Sequence, residues 1–356
     1  MVTYTSCAVD PLNPLDMDSA CNGVDAESRF EAQLLMTAAA FSRTFAPPAP
    51  APVAAVITIC THRKRAAPSS AGTAVSLPIG AQEAVQSAWV ERLRALPANT
   101  EASKLYAGRG FGLATQSAEL VKSKLYILSA GLGLVPSDRK VPAYGLTVSG
   151  GHAESIAARV TGGLDISAWF SALRSGPYSD QWADALGRGS GRVLVALTRP
   201  YAAMVGESLS ALEPQVLARL RIFGASLGNA LPERLHPALA PYDDRLDAVF
   251  PGTRADFAQR AMLHFARHIV HAHDAQDRDS DYAAVDAALD GIPAPARLRR
   301  PRRTDEEILH LISARLRSQP GIARILRALR DEEGIACEQS RFGRLYRIAL
   351  EGRRAE

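Results

Sequence analysis

A short apolar run that ends in glycines constrains the fold of this chain more than any other feature. Residues 125–128 (LYIL) are apolar and β-prone, which is typical of a buried strand. Ser129, Gly131 and Gly133 end the run, and a loop rich in acidic, basic and hydroxyl side chains continues to residue 144. Because ligands of α/β sheets bind outside the carboxyl ends of strands, we expect this loop to border a binding site.

Two other apolar runs are each followed directly by polar side chains. They span residues 53–60 and 193–197, and helical patterns separate them from each other and from 125–128. This alternation predicts an α/β fold with a mainly parallel sheet flanked by helices. Cations at the end of a strand suit an anion such as phosphate. Thr61, Arg63 and Lys64 follow the first run and are the candidates for phosphate contact, which assigns Arg63 and Lys64 to DNA binding; a solvated loop is the alternative. Arg199 and Tyr201 follow the second run.

Three motifs follow one another in the first half of the chain. C-[ST]-x-x-K lies at 60–64, A-x-x-L-Y-x-G-R-x-F at 102–111, and Y-I-L-S-A-x-x-G-L-x-P-x-D, completed by P-x-Y, at 126–144. In this order they resemble a bacterial family of unassigned function that is similar to the peroxide-stress DNA-binding proteins and, more distantly, to the base-handling domain of archaeosine synthase. The resemblance covers residues 52–205. It implies a uracil-DNA-glycosylase-like fold and a nucleobase or nucleic-acid ligand, although the uracil-glycosylase motifs G-Q-D-P-Y and H-P-S-P are absent from this sequence.

Composition excludes several classes of protein. No apolar run approaches 18 residues, so no membrane span is expected, and the first residues lack the pattern of a secretory signal. The four cysteines are scattered without a C-x-x-C pair, which fits neither a disulfide framework nor a zinc site. We therefore expect a cytoplasmic protein that uses no metal or other cofactor.

Positive charge is concentrated at the C-terminal end. The whole chain carries a net charge of +4, whereas residues 297–356 alone contain 15 arginines and 9 acidic residues. Such a basic segment is a candidate for contact with DNA. We expect double-stranded, modified DNA as the partner, and the sequence leaves the oligomeric state open.

The patterns predict five segments along the chain. Helices are expected at 26–43, 213–227 and 253–273, and at 305–350 in three pieces, with no strand after residue 207. The segments are an N-terminal helix with a Pro/Ala linker at 1–51, an α/β nucleobase-handling core at 52–205, a helical extension at 206–273, a linker at 274–303, and a basic helix-turn-helix-like module at 304–356.

The last module begins with a capping signal. Thr304 precedes Glu307 by three residues, ahead of an apolar stripe. Arg341, Arg344 and Arg347 recur on the third helix, which predicts contact with DNA by a helix-turn-helix arrangement. The alternative is a three-helix bundle whose basic face is merely solvated.

Asp138 is the candidate catalytic acid, because base excision needs a carboxylate that positions water and stabilises an oxocarbenium-like sugar. The alternative is a loop residue paired with Arg139 or Lys140. Tyr144 is assigned to the same catalytic site, where it could stack on a base; a half-buried anchor is the alternative. The family motifs imply substrate-binding roles for Tyr106 and Arg109, and position in the loops suggests the same for Thr61, Ser129, Arg199 and Tyr201. The alternative is helix–sheet packing for Tyr106, Arg109, Arg199 and Tyr201, a solvated loop for Thr61 and a cap of the turn for Ser129.

Asp256, Arg260 and His264 recur every four residues and so share one helix face. Arg260 and His264 are candidates for DNA contact, with a surface ion-pair ladder as the alternative. Asp243 and Asp244 are alternative catalytic acids.

These observations favour a DNA glycosylase that hydrolyses the N-glycosidic bond of a modified base in flipped-out DNA, in defence against phage with hypermodified DNA. Water activated by a carboxylate would make it monofunctional, whereas a lyase would need an amine such as Lys64 or Lys140. The alternatives are a DNA-binding damage-response protein without chemistry and a ribosyltransferase that exchanges bases.

Overall fold

The computed structural model describes residues 52–186, 189–295, 301, 303–316 and 321–355. The helix predicted at 26–43, most of the Pro/Ala linker before 54 and part of the arginine-rich linker lie outside these residues. Within them, no helix has the length and apolar character needed to cross a membrane.

Five strands form the central sheet, and a separate antiparallel pair is made by two short strands. The strands are β1 (Val53–Ile59), β2 (Thr100–Glu101), β3 (Lys124–Ser129), β4 (Gly133–Pro136), β5 (Lys140–Val141), β6 (Arg192–Ala196) and β7 (Leu220–Phe223). The sheet has the order β4–β3–β1–β6–β7, and only the β3–β4 pair is antiparallel. The predicted α/β fold with a mainly parallel sheet is thereby confirmed.

Helices flank the sheet and make up the C-terminal region. In the core they are α1 (Gln82–Ala95), α2 (Ala102–Leu105), α3 (Arg109–Leu120), α4 (Ile166–Leu173), α5 (Trp182–Leu186), α6 (Arg199–Ser210), α7 (Pro214–Arg219), α8 (Leu246–Val249), α9 (Phe257–His268) and α10 (Arg278–Leu289). The last three are α11 (Asp305–Leu316), α12 (Ile322–Asp331) and α13 (Gln339–Ala355). On the core, α3 packs against β1 and α9, while α4 packs against α6.

The prediction of an uninterrupted helix at 213–227 is wrong, as is the prediction that no strand follows residue 207. Only α7 forms there, and the chain then pairs with β6 as strand β7. The strand is four residues long and carries Arg221 in its middle. A charged residue at a fully buried strand position breaks the apolar run by which buried strands are recognised.

A buried ionic cluster explains how the sheet accommodates that arginine. Asp281 on α10 accepts hydrogen bonds from Arg221 Nε at 2.7 Å and from Arg192 Nη2 at 2.7 Å. All three side chains are almost completely excluded from solvent. A buried charge is tolerated only when it is paired and hydrogen-bonded, so Asp281 fixes α10 to β6 and β7.

Two tryptophans fix the turn after β3. The indole N–H of Trp89 donates to the carbonyl of Gly131 at 2.7 Å, and that of Trp169 donates to the carbonyl of Ala130 at 2.8 Å. Both indoles are fully buried. Since α1 and α4 hold this turn from two directions, its backbone is a rigid support for the residues beside it.

The C-terminal helices α11–α13 enclose a separate apolar cluster, which includes Ile308, Ile312 and Leu329. The predicted capping box is confirmed, because the Glu307 amide donates to Thr304 Oγ1 and the Glu307 carboxylate accepts from the Thr304 amide at 2.8 Å. The three predicted helices of this region are confirmed as well.

Candidate functional site

A crevice is expected beside β1, where the strand order of the sheet reverses. The connection that follows β1 leads to β3 on one side of it, and the chain later crosses to β6 on the other side. The loops that follow β1 and β6 therefore border the same crevice. Cys60 follows β1, and Tyr201 lies in the first turn of α6 after β6. Their Sγ and hydroxyl groups are 2.9 Å apart in a buried hydrogen bond, which joins the two connections at this edge.

A chain of hydroxyl groups lies beside this bond. Ser129 Oγ is 2.7 Å from the Tyr144 hydroxyl, which is 3.0 Å from the Tyr106 hydroxyl. Ser129 Oγ also accepts the amide N–H groups of Gly131 and Leu132, at 3.2 and 2.9 Å. Because these amides occupy both acceptor positions of the serine, its own proton points to Tyr144, and Tyr144 in turn donates to Tyr106.

The two tyrosines of this chain stay neutral. Burial raises the pKa of Tyr106 and of Tyr144 well above the ordinary value, and the nearby Cys60 adds to both shifts. They therefore act as hydrogen-bonding groups rather than as phenolates. The hydrogen bonds of the Tyr144 hydroxyl with Ser129 and Tyr106 hold the Tyr144 ring in one orientation.

Tyr144 is fully buried and lies at the wall of an open pocket of about 390 Å³. Such a volume lies in the lower part of the range for small-molecule sites and suits a compact planar ligand. The Lys64 ammonium lies 4.3 Å from the centroid of the ring, within cation–π distance. The lining residues are His62, Lys64, Tyr144, His152, Glu154 and the small apolar residues at 66–68.

Lys64 is partly buried, and its electrostatic setting differs from that of a surface lysine. Burial lowers its pKa, while the nearby Cys60 and Glu154 oppose the shift. The Glu154 carboxylate also lies 3.7 Å from His62 Nδ1. The pocket thus holds an amine whose charge is disfavoured and a carboxylate that is three-quarters buried.

Two glycines allow these groups to approach the backbone. A Cβ atom on Gly131 would lie 2.7 Å from Tyr144 Cε2, and one on Gly145 would collide with the Glu154 carboxylate. Glycine at both positions is therefore required for the observed pocket.

The site residues predicted from the sequence divide into two groups. Ser129, Tyr106, Tyr144, Lys64 and Tyr201 meet at the carboxyl edge of the sheet. Thr61 lies there too, but its hydroxyl bonds to the carbonyls of Arg63 and Ala107 and thereby holds the loop. Arg63 and Arg199 are exposed at this edge.

Arg109 has a structural partner elsewhere. Its guanidinium pairs with Asp256 at 3.1 Å and donates to the carbonyl of Pro251 at 2.6 Å. These contacts tie the start of α3 to the segment before α9, and Arg109 does not line the pocket beside Lys64.

The expectation that Asp138 follows the carboxyl end of a strand at the binding edge is wrong. Strand β4 reverses the chain, and the Ser137 amide donates to the carbonyl of Leu125 near the beginning of β3. Asp138 therefore lies at the amino end of β3. Its side chain is 72% exposed and pairs with Lys124 at 3.6 Å, so it is a paired loop residue whose partner is neither Arg139 nor Lys140.

The prediction that Arg260 and His264 contact DNA is wrong, because this face of α9 is buried. Of the alternative surface ladder, the pair between Asp256 and Arg260 forms, but it lies in the interior. Arg260 is fully buried between Asp256, at 2.9 Å, and Asp247, at 2.8 Å. Burial, together with His268, lowers the pKa of His264 to about 4, and its Nδ1 lies 2.9 Å from the Tyr242 hydroxyl. The structure therefore places Arg260 and His264 in the interior rather than on a surface that could face DNA.

The alternative acids are placed apart from the pocket as well. Asp243 pairs with Arg245 at 2.9 Å, and the hydrogen bonds from this arginine lower the pKa of the carboxyl group despite some burial. Neither Asp243 nor Asp244 lines the pocket beside Lys64.

The arginines of the C-terminal helices are partly engaged within their own module. Asp305 accepts from Arg344 Nη2 at 2.7 Å and from Arg341 Nε at 2.6 Å. Arg347 is exposed one turn further along α13. Contact of this surface with DNA remains a prediction.

Sequence reasoning missed Glu154 and His152 as pocket residues. They lie in the stretch 145–156, which has neither strand nor helix periodicity. The signal that could have found them is the pair Gly150–Gly151 directly before a histidine and an acid. Among the described residues, no group of three or more His, Cys, Asp or Glu side chains could hold a metal ion.

The chain matches no protein-family model, no curated protein and no solved structure. The resemblance to a glycosylase-like family therefore remains a prediction that rests on the three sequence motifs.

Proposed function

We propose that the chain is a DNA glycosylase that hydrolyses the N-glycosidic bond of a modified base. The observation that carries the proposal is the pocket at the carboxyl edge of the sheet, where an amine, a carboxylate and an aromatic ring converge. The sequence motifs support a nucleobase as the ligand, and hypermodified phage DNA is the proposed source.

The charges in the pocket suit the charges that develop when a base leaves deoxyribose. The sugar becomes oxocarbenium-like while the base gains electron density. Glu154 replaces Asp138 as the proposed acid: its carboxylate stabilises the sugar and takes a proton from the attacking water. Lys64, which lines the same pocket, donates its proton to the departing base.

Two elements would serve to hold the DNA. Arg63 and Arg199 are exposed at the edge of the crevice, where they could contact phosphates beside a flipped nucleotide. The basic C-terminal helices would bind the duplex further away. The target nucleotide must leave the base stack, because a pocket of about 390 Å³ has room for a base but not for a duplex.

The test is incubation of the purified protein with unmodified DNA and with hypermodified phage DNA. Released bases are identified by mass spectrometry, and abasic sites are counted with an aldehyde-reactive probe. We expect release of one modified base and an equal number of abasic sites.

Two matched variants test the assignment of the acid. Glu154→Gln should lower the rate of base release by about 10²-fold or more, because a general acid–base group is lost. Asp138→Asn makes the same chemical change at the opposite edge of the sheet and should leave the rate unchanged. Equal losses in the two variants would contradict the assignment. If the wild-type protein binds DNA but releases no base, the pocket is a reader without chemistry.

A further inference from the structure

Lysine is rare in this chain. Only five of its 41 basic residues are lysines. Lys104 pairs with Glu101 at 3.0 Å, Lys124 pairs with Asp138, and Lys122 and Lys140 are exposed. Lys64 is therefore the one lysine that the fold withdraws from the surface.

Its chemistry differs from that of the arginines used elsewhere. A guanidinium remains protonated in proteins, whereas an ammonium group can lose its proton and become a nucleophile. Phosphate binding alone would be served by arginine, the residue that this chain uses at nearly every other basic position. A lysine in the pocket indicates a role in which the amine is deprotonated.

The backbone beside Lys64 is held firmly. Lys64 pairs with Tyr106 in an isolated β-bridge. On either side of it, the Arg65 amide donates to the carbonyl of Leu105 at 2.9 Å, and the Ala107 amide donates to the carbonyl of Arg63 at 3.0 Å. The amine is thus carried over the Tyr144 ring by a fixed segment, as a reacting group must be. Burial, which favours the uncharged amine, acts in the same direction.

We propose that Lys64 forms an imine with C1′ of the abasic deoxyribose that remains after the base leaves, and that the protein thereby cleaves the DNA strand as a lyase. The inference rests on the proposed function, since base release supplies both the abasic sugar and, through the proton given to the base, the neutral amine.

The steps balance without an oxidant or a cofactor. The amine nitrogen of Lys64 bonds to C1′ of the ring-opened aldehyde, and the carbinolamine loses water to give the protonated imine. Water takes a proton from C2′, the electron pair of that bond forms an enamine, and the enamine expels the 3′ phosphate as the bond between C3′ and its oxygen breaks. Water hydrolyses the imine, which returns the amine and releases the unsaturated aldehyde.

The test uses a duplex oligonucleotide with one abasic deoxyribose, and the same strand unpaired, in the presence of borohydride. Reduction converts an imine into a stable secondary amine, so the protein becomes covalently attached to DNA. We expect a cross-linked species whose modified peptide contains Lys64, and strand cleavage at the abasic site when borohydride is omitted.

Matched variants separate Lys64 from the other amines. Lys64→Arg keeps the positive charge but removes the nucleophile, and should abolish the covalent protein–DNA product. Lys124→Arg makes the same change at the amino edge of the sheet and should cross-link like the wild type. Mapping the adduct in the wild-type protein keeps the test decisive even if Lys64→Arg fails to fold.

The outcomes distinguish this inference from the proposed function. Base release by the wild-type protein without cross-linking to abasic DNA would overturn the lyase and leave the glycosylase intact. An adduct on another amine would also overturn it. An adduct on Lys64 without base release from any DNA would support imine formation while contradicting the glycosylase.

Discussion

Replacement of Asp281 by asparagine should unfold the α/β core more readily than any other single carboxylate change. Asp281 receives four hydrogen bonds of 2.7–3.0 Å from Arg192 and Arg221, and none of the three side chains is more than 1% exposed. Asparagine preserves the shape but removes the negative charge, which leaves two guanidinium groups buried without a counter-ion. Removing one partner of a buried pair costs about 3 to 5 kcal/mol of unfolding free energy.

Asp286 on the same helix provides a matched control. It lies 3.7 Å from Arg245 and is 60% exposed, so Asp286→Asn should leave the urea midpoint unchanged. Trp89, Trp169 and Trp182 are the only tryptophans in the sequence, and all three are buried in the core. Tryptophan fluorescence during urea unfolding therefore reports the unfolding of the α/β core alone. Equal midpoints for Asp281→Asn and Asp286→Asn would refute the claim that the buried cluster fixes α10.

Three further predictions concern pH, the pocket and the C-terminal module. The pKa of His264 is about 4 in the folded protein and 6.5 in the unfolded chain. As the pH falls, the unfolded chain is therefore protonated first, and about 3 kcal/mol of unfolding free energy should be lost between pH 6.5 and 4. This loss should disappear in His264→Asn but persist in a variant of the exposed His271, as acid unfolding curves would show. Gly131→Ala should displace the Tyr144 ring and abolish base release, while near-ultraviolet circular dichroism shows a folded core; normal activity would contradict the role of the glycine. Thr304→Ala should weaken α11 by about 1 kcal/mol, seen as faster hydrogen exchange of its amides, and unchanged exchange would argue against the cap.

The sequence predicts the parts of this fold that depend on local pattern. Strands β1, β3 and β6 each contain a run of at least four apolar residues, and α11 is marked by its capping box. Strand β7 escapes prediction because the charge in its middle is neutralised by Asp281, which lies 60 residues further along the chain. A buried ion pair between distant segments leaves no local signal.

The candidate site was predicted in part for a similar reason. The three motifs locate Lys64, Tyr106, Ser129 and Tyr144, which the structure brings together. Asp138 was misplaced because the four-residue strand β4 reads as a loop, and its antiparallel pairing carries the chain back to the other edge of the sheet.

The separation of the two apolar clusters has a thermodynamic consequence. The cluster of the α/β core and that of α11–α13 are distinct, so each can lose its packing without the other. Scanning calorimetry of the full chain should then show two heat-absorption peaks rather than one. A small molecule that binds in the pocket should raise only the melting temperature of the core. A duplex that binds to the C-terminal helices should raise only the melting temperature of those helices. The heat capacity trace would thus report which part of the chain a given ligand engages.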